Sequence, residues 1–495
     1  MTLLEEPIKE VVKLKNYVGG NWVESTGELK DIVNPATQKV IGQVPLSTRD
    51  EMKGAIEAAK EAFPGWRAKS PLERLRYLIK WKTAMDKCND EISRIETMEH
   101  GKIIDEATKG TERAIENIEV ALGSPSLTMG YNIKDIEPGV DTVLSYEPLG
   151  VFGIISPFNF PSMVPLWYAP YAIASGNCVI VKPSPLDPIC ANKLSEVIDE
   201  IGLPAGVYNH VNGDIDPSLE LLEHPDIKGV CFVGSTKVGR DVIAKNCGEH
   251  GKRYIAQCSA KNPLVVMPDA NISDTVTNIL PSFFGNTGQR CLSAANLVVV
   301  GGDDFYKELM DKVVTAVSQI RVGYGLDKTV NMGPMQSVVG KERVLGYIEK
   351  GLQEGANLRL DGRNPEIVGD YPDTCFIGPN IFEDVTPEMT IAREEIFGPL
   401  MSVLRFSDLD EAIDFVNSSN YGNGACIFTT RGKVAREFHH RVETGNVGVN
   451  IGIPCPLCLF PFGGSKDSFF GIMHGQGQEA MRFFTDSKIL TQRWF

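Results

Sequence analysis

Four short stretches hold residues whose types and spacing could do covalent or redox chemistry. In Phe284-Gly285-Asn286-Thr287-Gly288-Gln289-Arg290-Cys291 a thiol follows a glycine-bearing turn, with a guanidinium beside it. A neighbouring cation or a helix N-terminus lowers a thiol pKa and makes a nucleophile. The competing reading is one more buried structural cysteine. In Pro157-Phe158-Asn159-Phe160-Pro161 an amide stands in an apolar surround. Its N–H could donate to a developing oxyanion, or it is a plain turn asparagine. Phe232-Val233-Gly234-Ser235-Thr236-Lys237-Val238-Gly239-Arg240 follows an apolar run and opens a helix. Such a turn can face a phosphate. It is neither G-x-G-x-x-G nor G-x-x-x-x-G-K-[ST], since Arg240 stands where that lysine would be, so an ordinary strand-to-helix turn competes. In Arg393-Glu394-Glu395-Ile396-Phe397-Gly398-Pro399 a carboxylate beside an aromatic could grip a pair of sugar hydroxyls, against a solvated charge pair at a turn. Cys455-Pro456-Leu457-Cys458 has C-x-x-C spacing, but no second Cys or His pair lies nearby, so no metal site is expected.

The elements that must position these residues come from a chain of 495 residues, 42% hydrophobic and 23% charged, enough for two to three ordinary domains. Lys+Arg is 49 and Asp+Glu 64, a net charge of −15, which repels nucleic acid and anionic membranes. Eleven cysteines, an odd number set mostly in apolar segments, read as reduced cytoplasmic usage. The mixed-charge start, Met1 to Lys15, does not read as a signal peptide. No charge falls between Pro148 and Val181, but five prolines interrupt that stretch. It reads as strand, loop, helix and strand rather than as a membrane span. Residues 17–50 read as β-rich. Helices follow at Arg49–Ala62, Leu72–Lys87, Asp90–Gly101 and Lys102–Leu122. From Leu149 short apolar runs alternate with helices: Val151–Ile155, Cys178–Val181, Val207–Val211, Gly229–Val233 and Leu264–Val266. That alternation predicts βαβ units around a buried parallel sheet.

The order and spacing of these motifs resemble the aldehyde dehydrogenase superfamily from Asn34-Pro35-Ala36-Thr37 to Pro461-Phe462-Gly463-Gly464. The resemblance implies an α/β fold in three parts. A Rossmann-like cofactor domain would span 1–130 and 150–260. An α/β catalytic domain would span 261–470, and a small β oligomerisation flap 131–149 and 471–495. It implies Cys291 as nucleophile and Asn159 as oxyanion donor. It implies a cofactor held by Ser156, Pro157, Phe158, Lys182, Ser184, Gly234, Ser235, Glu395 and Phe397. The partners would be a small-molecule substrate and further copies of the chain, as a homodimer or homotetramer.

The departures from the family pattern are informative. Hydrolytic members carry Glu-Leu-Gly-Gly-Lys upstream of the nucleophile; here the stretch is Gln257-Cys258-Ser259-Ala260-Lys261. A carboxamide cannot take a proton from water near neutral pH, whereas a thiol acceptor needs less help. Gln257 therefore points to coenzyme A as acyl acceptor. Arg113 and Arg290 resemble two arginines that bind the substrate carboxylate in the methylmalonate-semialdehyde dehydrogenase branch, and guanidinium suits that task. Gly123–Gly130 and Ser468-Phe469-Phe470-Gly471 also resemble that branch. The implied reaction is NAD-dependent oxidation of malonate or methylmalonate semialdehyde through a cysteine thioester. Decarboxylation and transfer to coenzyme A would give acetyl-CoA or propionyl-CoA. The alternative is CoA-independent, NAD(P)-dependent oxidation of another small aldehyde to its acid. Pro185 stands where NAD-preferring relatives place a glutamate, so NADP stays open beside NAD.

Overall fold

The computed structural model describes residues 2–495. Two large sheets organise the chain. The first has eight strands in the order Phe469–Gly471, Arg253–Gln257, Ile227–Val233, Val151–Ile155, Cys178–Lys182, Tyr208–His210, Asn16–Val18 and Asn21–Val23. Its five central strands are parallel and its outer ones antiparallel. Val151–Ile155 and Cys178–Lys182 are buried at every residue. Their unbroken apolar runs are what a sheet covered on both faces requires. From Val151–Ile155 the chain steps outward through Cys178–Lys182 to Tyr208–His210, then returns to the other side as Ile227–Val233 and Arg253–Gln257. The order reverses between Val151–Ile155 and Ile227–Val233, and such a switch point opens a crevice at the carboxyl ends of the strands.

The second sheet has seven strands in the order Asn357–Leu360, Asn380–Glu383, Leu400–Phe406, Ala294–Val300, Asn262–Val266, Gly424–Phe428 and Asn446–Val449. All pairings but the first are parallel. The chain first crosses between sheets through Cys258–Lys261, so the last parallel strand of one sheet and the first strand of the other lie five residues apart in sequence, and it returns after Asn446–Val449 to add Phe469–Gly471 to the first sheet. A separate antiparallel sheet pairs Asn132–Glu137, Val140–Pro148 and Thr485–Arg493. Its outer strands are largely exposed.

The helices follow their sequence signals, with one correction. Thr48 with Glu51, and Ser70 with Glu73, form capping boxes that start Arg49–Ala68 and Pro71–His100. The second of these is one helix where the sequence reading placed two, Leu72–Lys87 and Asp90–Gly101. Cys88 and Asn89 between them are poor but tolerated helix formers, with neither glycine nor proline to stop the run. It ends at Gly101, whose φ of 96° is the left-handed C-cap conformation. Ile104–Ala121 buries Ile104, Ala107, Ala114, Ile115, Ile118 and Ala121, one helical face. Among the described residues no helix is long and apolar enough to cross a membrane.

Candidate active site

The carboxyl ends of the first sheet face the amino ends of the second, and a cavity of about 580 Å³ lies there. Its wall includes Ser156, Pro157, Phe158, Asn159, Lys182, Ser184, Gly234, Ser235, Cys291, Glu395 and Phe397. The topology explains the convergence. Ser156 follows Val151–Ile155 and Gly234 follows Ile227–Val233, the two strands at the switch point. Cys291 precedes Ala294–Val300 and Glu395 precedes Leu400–Phe406, so the second sheet brings them from the opposite side.

At one end the wall is polar and helix-capped. The Gly234 N–H donates to the Gln257 carbonyl at 3.0 Å. A Cβ on Gly234 would lie 2.4 Å from the Phe232 ring, so a larger residue in this turn would have to displace that ring. Ser235 caps the helical run from Thr236 to Glu249, accepting from the Val238 N–H. Lys182 is buried and donates to the Gly213 and Asp214 carbonyls at 3.0 and 3.4 Å. Burial pulls its ammonium down to about 8, with Asp214 opposing. Pro185 also lines this end and offers no carboxylate. Glu395 accepts from the Ala260 N–H at 2.8 Å. Burial raises its pKa against hydrogen bonds from Ser259 and Ala260. Phe397 sits at φ 57°, a strained conformation for a bulky residue, with its ring edge-on to Phe158 at 6.0 Å. Glycine and cationic groups at a helix start suit a pyrophosphate, and a carboxylate with a ring beside it suits a ribose and nicotinamide. The residues present fit a nicotinamide dinucleotide.

At the other end the backbone is strained and pinned. Asn286 and Thr287 each have φ of 53° and Gly288 has 72°, three consecutive left-handed residues just before Cys291. The Asn262 and Asn423 amides donate to the Cys291 carbonyl at 2.8 and 2.9 Å. Asn159 Nδ2 donates to the Gln289 carbonyl at 2.9 Å, which ties its amide to the same loop. Behind it the Lys102 ammonium donates to the Asn159 carbonyl at 2.7 Å and pairs with Glu96 at 2.5 Å, fully buried. Glu96 is in turn held by the Ser162 hydroxyl at 2.6 Å. The sequence reading expected the cation next to Cys291 to lower its thiol pKa. Instead burial pushes the thiol up to about 12, Cys455 and Glu395 adding to it, while the backbone N–H groups of Cys291 and Leu292 pull against them. Arg290 turns its charge elsewhere.

Neither proposed carboxylate-binding arginine lines the cavity, and each carries a carboxylate partner. Arg290 Nη2 donates to Glu106 Oε1 at 2.9 Å, and Glu106 also takes the Asn286 N–H with both oxygens at 2.9 Å. Arg113 pairs with Glu116 and stands 4.0 Å from Cys458 Sγ. Their common neighbour is Cys455: Arg113 and Arg290 pull its thiol down against burial, and Cys455 pushes up Cys291. Cys458 is buried, its sulfur accepting from Asn117 Nδ2 at 3.3 Å. Gln257 donates to the Phe462 carbonyl at 2.7 Å and does not line the cavity. Sequence reasoning missed Arg343, Asn262, Asn423 and Lys102. Arg343 lines the cavity from the ordinary amphipathic helix Val338–Gln353 and donates to the Glu395 carbonyl at 2.7 Å. Nothing in its own segment marks it. Asn262 had a faint signal, a short polar residue ahead of a proline at a strand start.

Residues 22–490 match the profile of the aldehyde dehydrogenase family. Malonate-semialdehyde dehydrogenase 2 of Geobacillus kaustophilus HTA426 is 44% identical over 485 residues, covering 98% of this chain and 99% of that one. The malonate-semialdehyde dehydrogenase of Bacillus subtilis 168 is 44% identical over 488 residues, covering 98% of each. Among solved structures, methylmalonate-semialdehyde dehydrogenase of Oceanimonas doudoroffii superposes with a TM-score of 0.95 at 39% identity, covering 98% of this chain and 99% of that one. A Sinorhizobium meliloti 1021 protein, provisionally assigned as methylmalonate-semialdehyde dehydrogenase and solved with NAD, gives 0.96 at 37% over the same shares.

Proposed function

Because the chain belongs to the aldehyde dehydrogenase family, we propose that it oxidises malonate semialdehyde, or its 2-methyl homologue, with NAD and passes the acyl group to coenzyme A. One observation carries the reading. A cysteine and a dinucleotide-shaped set of groups share the wall of one cavity, while Gln257 replaces the expected glutamate base. The names of the relatives supply the substrate class, and the NAD complex of one supplies the cofactor. On this reading 1–130 and 150–260 form the cofactor unit, 261–470 the catalytic unit, and 131–149 with 471–495 the oligomerisation flap. The exposed Ile489, Leu490, Trp494 and Phe495 give copies of the chain an apolar surface to bury.

Lys182, Ser184, Gly234 and Ser235 would hold the adenosine and pyrophosphate half of NAD. Ser156, Pro157, Phe158, Glu395 and Phe397 would hold the nicotinamide half. When bound, NAD supplies the hydride acceptor. Cys291 Sγ, its proton lost to solvent and its thiolate held by its own N–H and that of Leu292, attacks the aldehyde carbon. Asn159 spends one amide hydrogen on the Gln289 carbonyl and has its second free for the oxyanion. Arg113 and Arg290 orient the substrate carboxylate. Each keeps free N–H donors beyond those given to Glu116 and Glu106, because a guanidinium has about five. Loss of hydride from the adduct leaves a thioester on Cys291. The carboxylate departs as carbon dioxide or bicarbonate, the electron pair it leaves on the α-carbon takes a proton from solvent, and the coenzyme A thiol then takes the acyl group and frees the Cys291 thiol without a carboxylate base. NADH formation from malonate semialdehyde with and without coenzyme A tests this. Turnover that requires coenzyme A and gives acetyl-CoA by mass is the expected result. A free acid formed at the same rate without it would sink the acyl-transfer step.

A further inference from the structure

A second cavity, of about 200 Å³, lies against the second sheet, with Lys261, Asn296, Arg393, Ser419 and Asn420 in its wall. No Asp or Glu lines it. Lys261 is 3% exposed, and its Nζ has neither a hydrogen-bond partner nor an ion pair. Asn296 is 2% exposed; its Nδ2 donates to the Ala392 carbonyl at 2.9 Å, but its Oδ1 has no partner. Arg393 is exposed, and its Nε meets only the Pro387 carbonyl at 2.7 Å. A buried ammonium with no hydrogen bond or ion pair and a buried amide oxygen without a donor are both costly. Here both line one cavity, together with the exposed guanidinium of Arg393.

We propose that this cavity binds a small protonated oxyanion, hydrogen phosphate or bicarbonate. Its charged oxygens accept from Lys261 and Arg393, and its O–H donates to Asn296 Oδ1. The flexible lysine stem lets the ammonium swing to meet it. Chloride offers no donor, and sulfate carries no proton at neutral pH. Burial pulls the Lys261 ammonium down to about 7, with Glu395 and Glu394 opposing, so an anion that restores its charge also takes up a proton. Occupancy would be felt at the cofactor cavity. Lys261 adjoins Ala260, whose N–H holds Glu395, and Arg393 is two residues before Glu395.

Thermal unfolding of the full chain at constant ionic strength tests the site without substrate or coenzyme A, so its failure is distinct from failure of the proposed reaction. Potassium phosphate or bicarbonate should raise Tm saturably, and chloride and sulfate should not. A rise with phosphate alone identifies free phosphate as the ligand. A rise with bicarbonate alone identifies the dissolved form of carbon dioxide. Lys261→Met should abolish the rise and the proton uptake seen by calorimetry in buffers of different ionisation enthalpy. Arg393→Gln should weaken the apparent affinity roughly tenfold; this residue is exposed, so the variant keeps the test if Lys261→Met does not fold. No oxyanion-specific rise in the wild type, or a rise undiminished in both variants, would overturn the site.

Discussion

The two ends of the main cavity are built differently. The proposed dinucleotide end is assembled mostly from the ends of successive strands of the first sheet, Ser156 after Val151–Ile155, Lys182 closing Cys178–Lys182 and Gly234 after Ile227–Val233, with Glu395 and Phe397 added from the second sheet. Its donors are backbone N–H groups, short side chains and the buried Lys182. The thiol end is assembled from distant loops under strain. Three left-handed residues precede Cys291, two asparagines pin its carbonyl, and both nearby arginines are already partnered by Glu106 and Glu116. A rigid end can hold the same cofactor through many turnovers. On the proposed reading a strained end with partnered charges offers a substrate only the N–H donors that its partners leave free.

The comparison breaks most simply at the thiol. Cys291→Ala should lower kcat by about 10⁴-fold or more while leaving NAD affinity unchanged, read by NADH formation and by fluorescence titration. Loss of cofactor binding in the same variant would mean that the two ends are not separable. Asn159→Ala should lower kcat by about 10²–10³-fold with a much smaller change in KM, because the second amide hydrogen matters only once the oxyanion forms. A rise in KM that accounts for the whole loss would make Asn159 a ground-state anchor of the Gln289 loop instead.

Arg113→Leu sharpens the comparison at the substrate side. It should raise KM for malonate semialdehyde roughly 10–100-fold and hardly change KM for propanal, since only the former has a carboxylate to lose. Equal effects on both aldehydes would leave Arg113 with no more than its pairing to Glu116.

The same contrast decides how much was legible in the sequence. At the proposed dinucleotide end each turn carries a local sign, an apolar run, a small or polar residue and a helix start, but that sign left an ordinary strand-to-helix turn open, and only the family resemblance implied cofactor residues there. The reversal of strand order that sets Ser156 and Gly234 side by side is a property of the whole sheet, and only the spacing of several motifs together pointed to it. The thiol end was legible as residue types but not as chemistry. Arg290 beside Cys291 in sequence suggested a cation lowering the thiol pKa. In three dimensions the left-handed turn sends that guanidinium to Glu106, on another helix, and burial prevails. Arg343 was invisible because a helix position facing a cavity looks like any other helix position until the neighbouring element is in place. The long helix Pro71–His100 was split in the reading because Cys88-Asn89 weakens the pattern; packing along its length decided otherwise.

The smallest effect tests the dinucleotide end itself. Lys182 is buried, and burial brings its ammonium down to about 8 with Asp214 opposing. A free lysine titrates well above that, so the sign is that of a lysine losing charge early. The ammonium is present below pH 8 and is lost as pH rises through that value. If Lys182 meets the ribose and pyrophosphate half of the cofactor, NAD affinity should fall above pH 8 in the wild type, by roughly tenfold once the charge is gone. Lys182→Met should be weaker by a similar factor at pH 7, and its affinity should no longer change between pH 7 and 9. NAD bound to Lys182 would itself raise that pKa, so the fall measured by titration should lie at higher pH at saturating cofactor than at trace cofactor. A wild-type affinity flat across this range, with Lys182→Met equally flat and equally tight, would remove the lysine from the cofactor site. The dinucleotide end would then rest on the Gly234–Ser235 turn and Glu395.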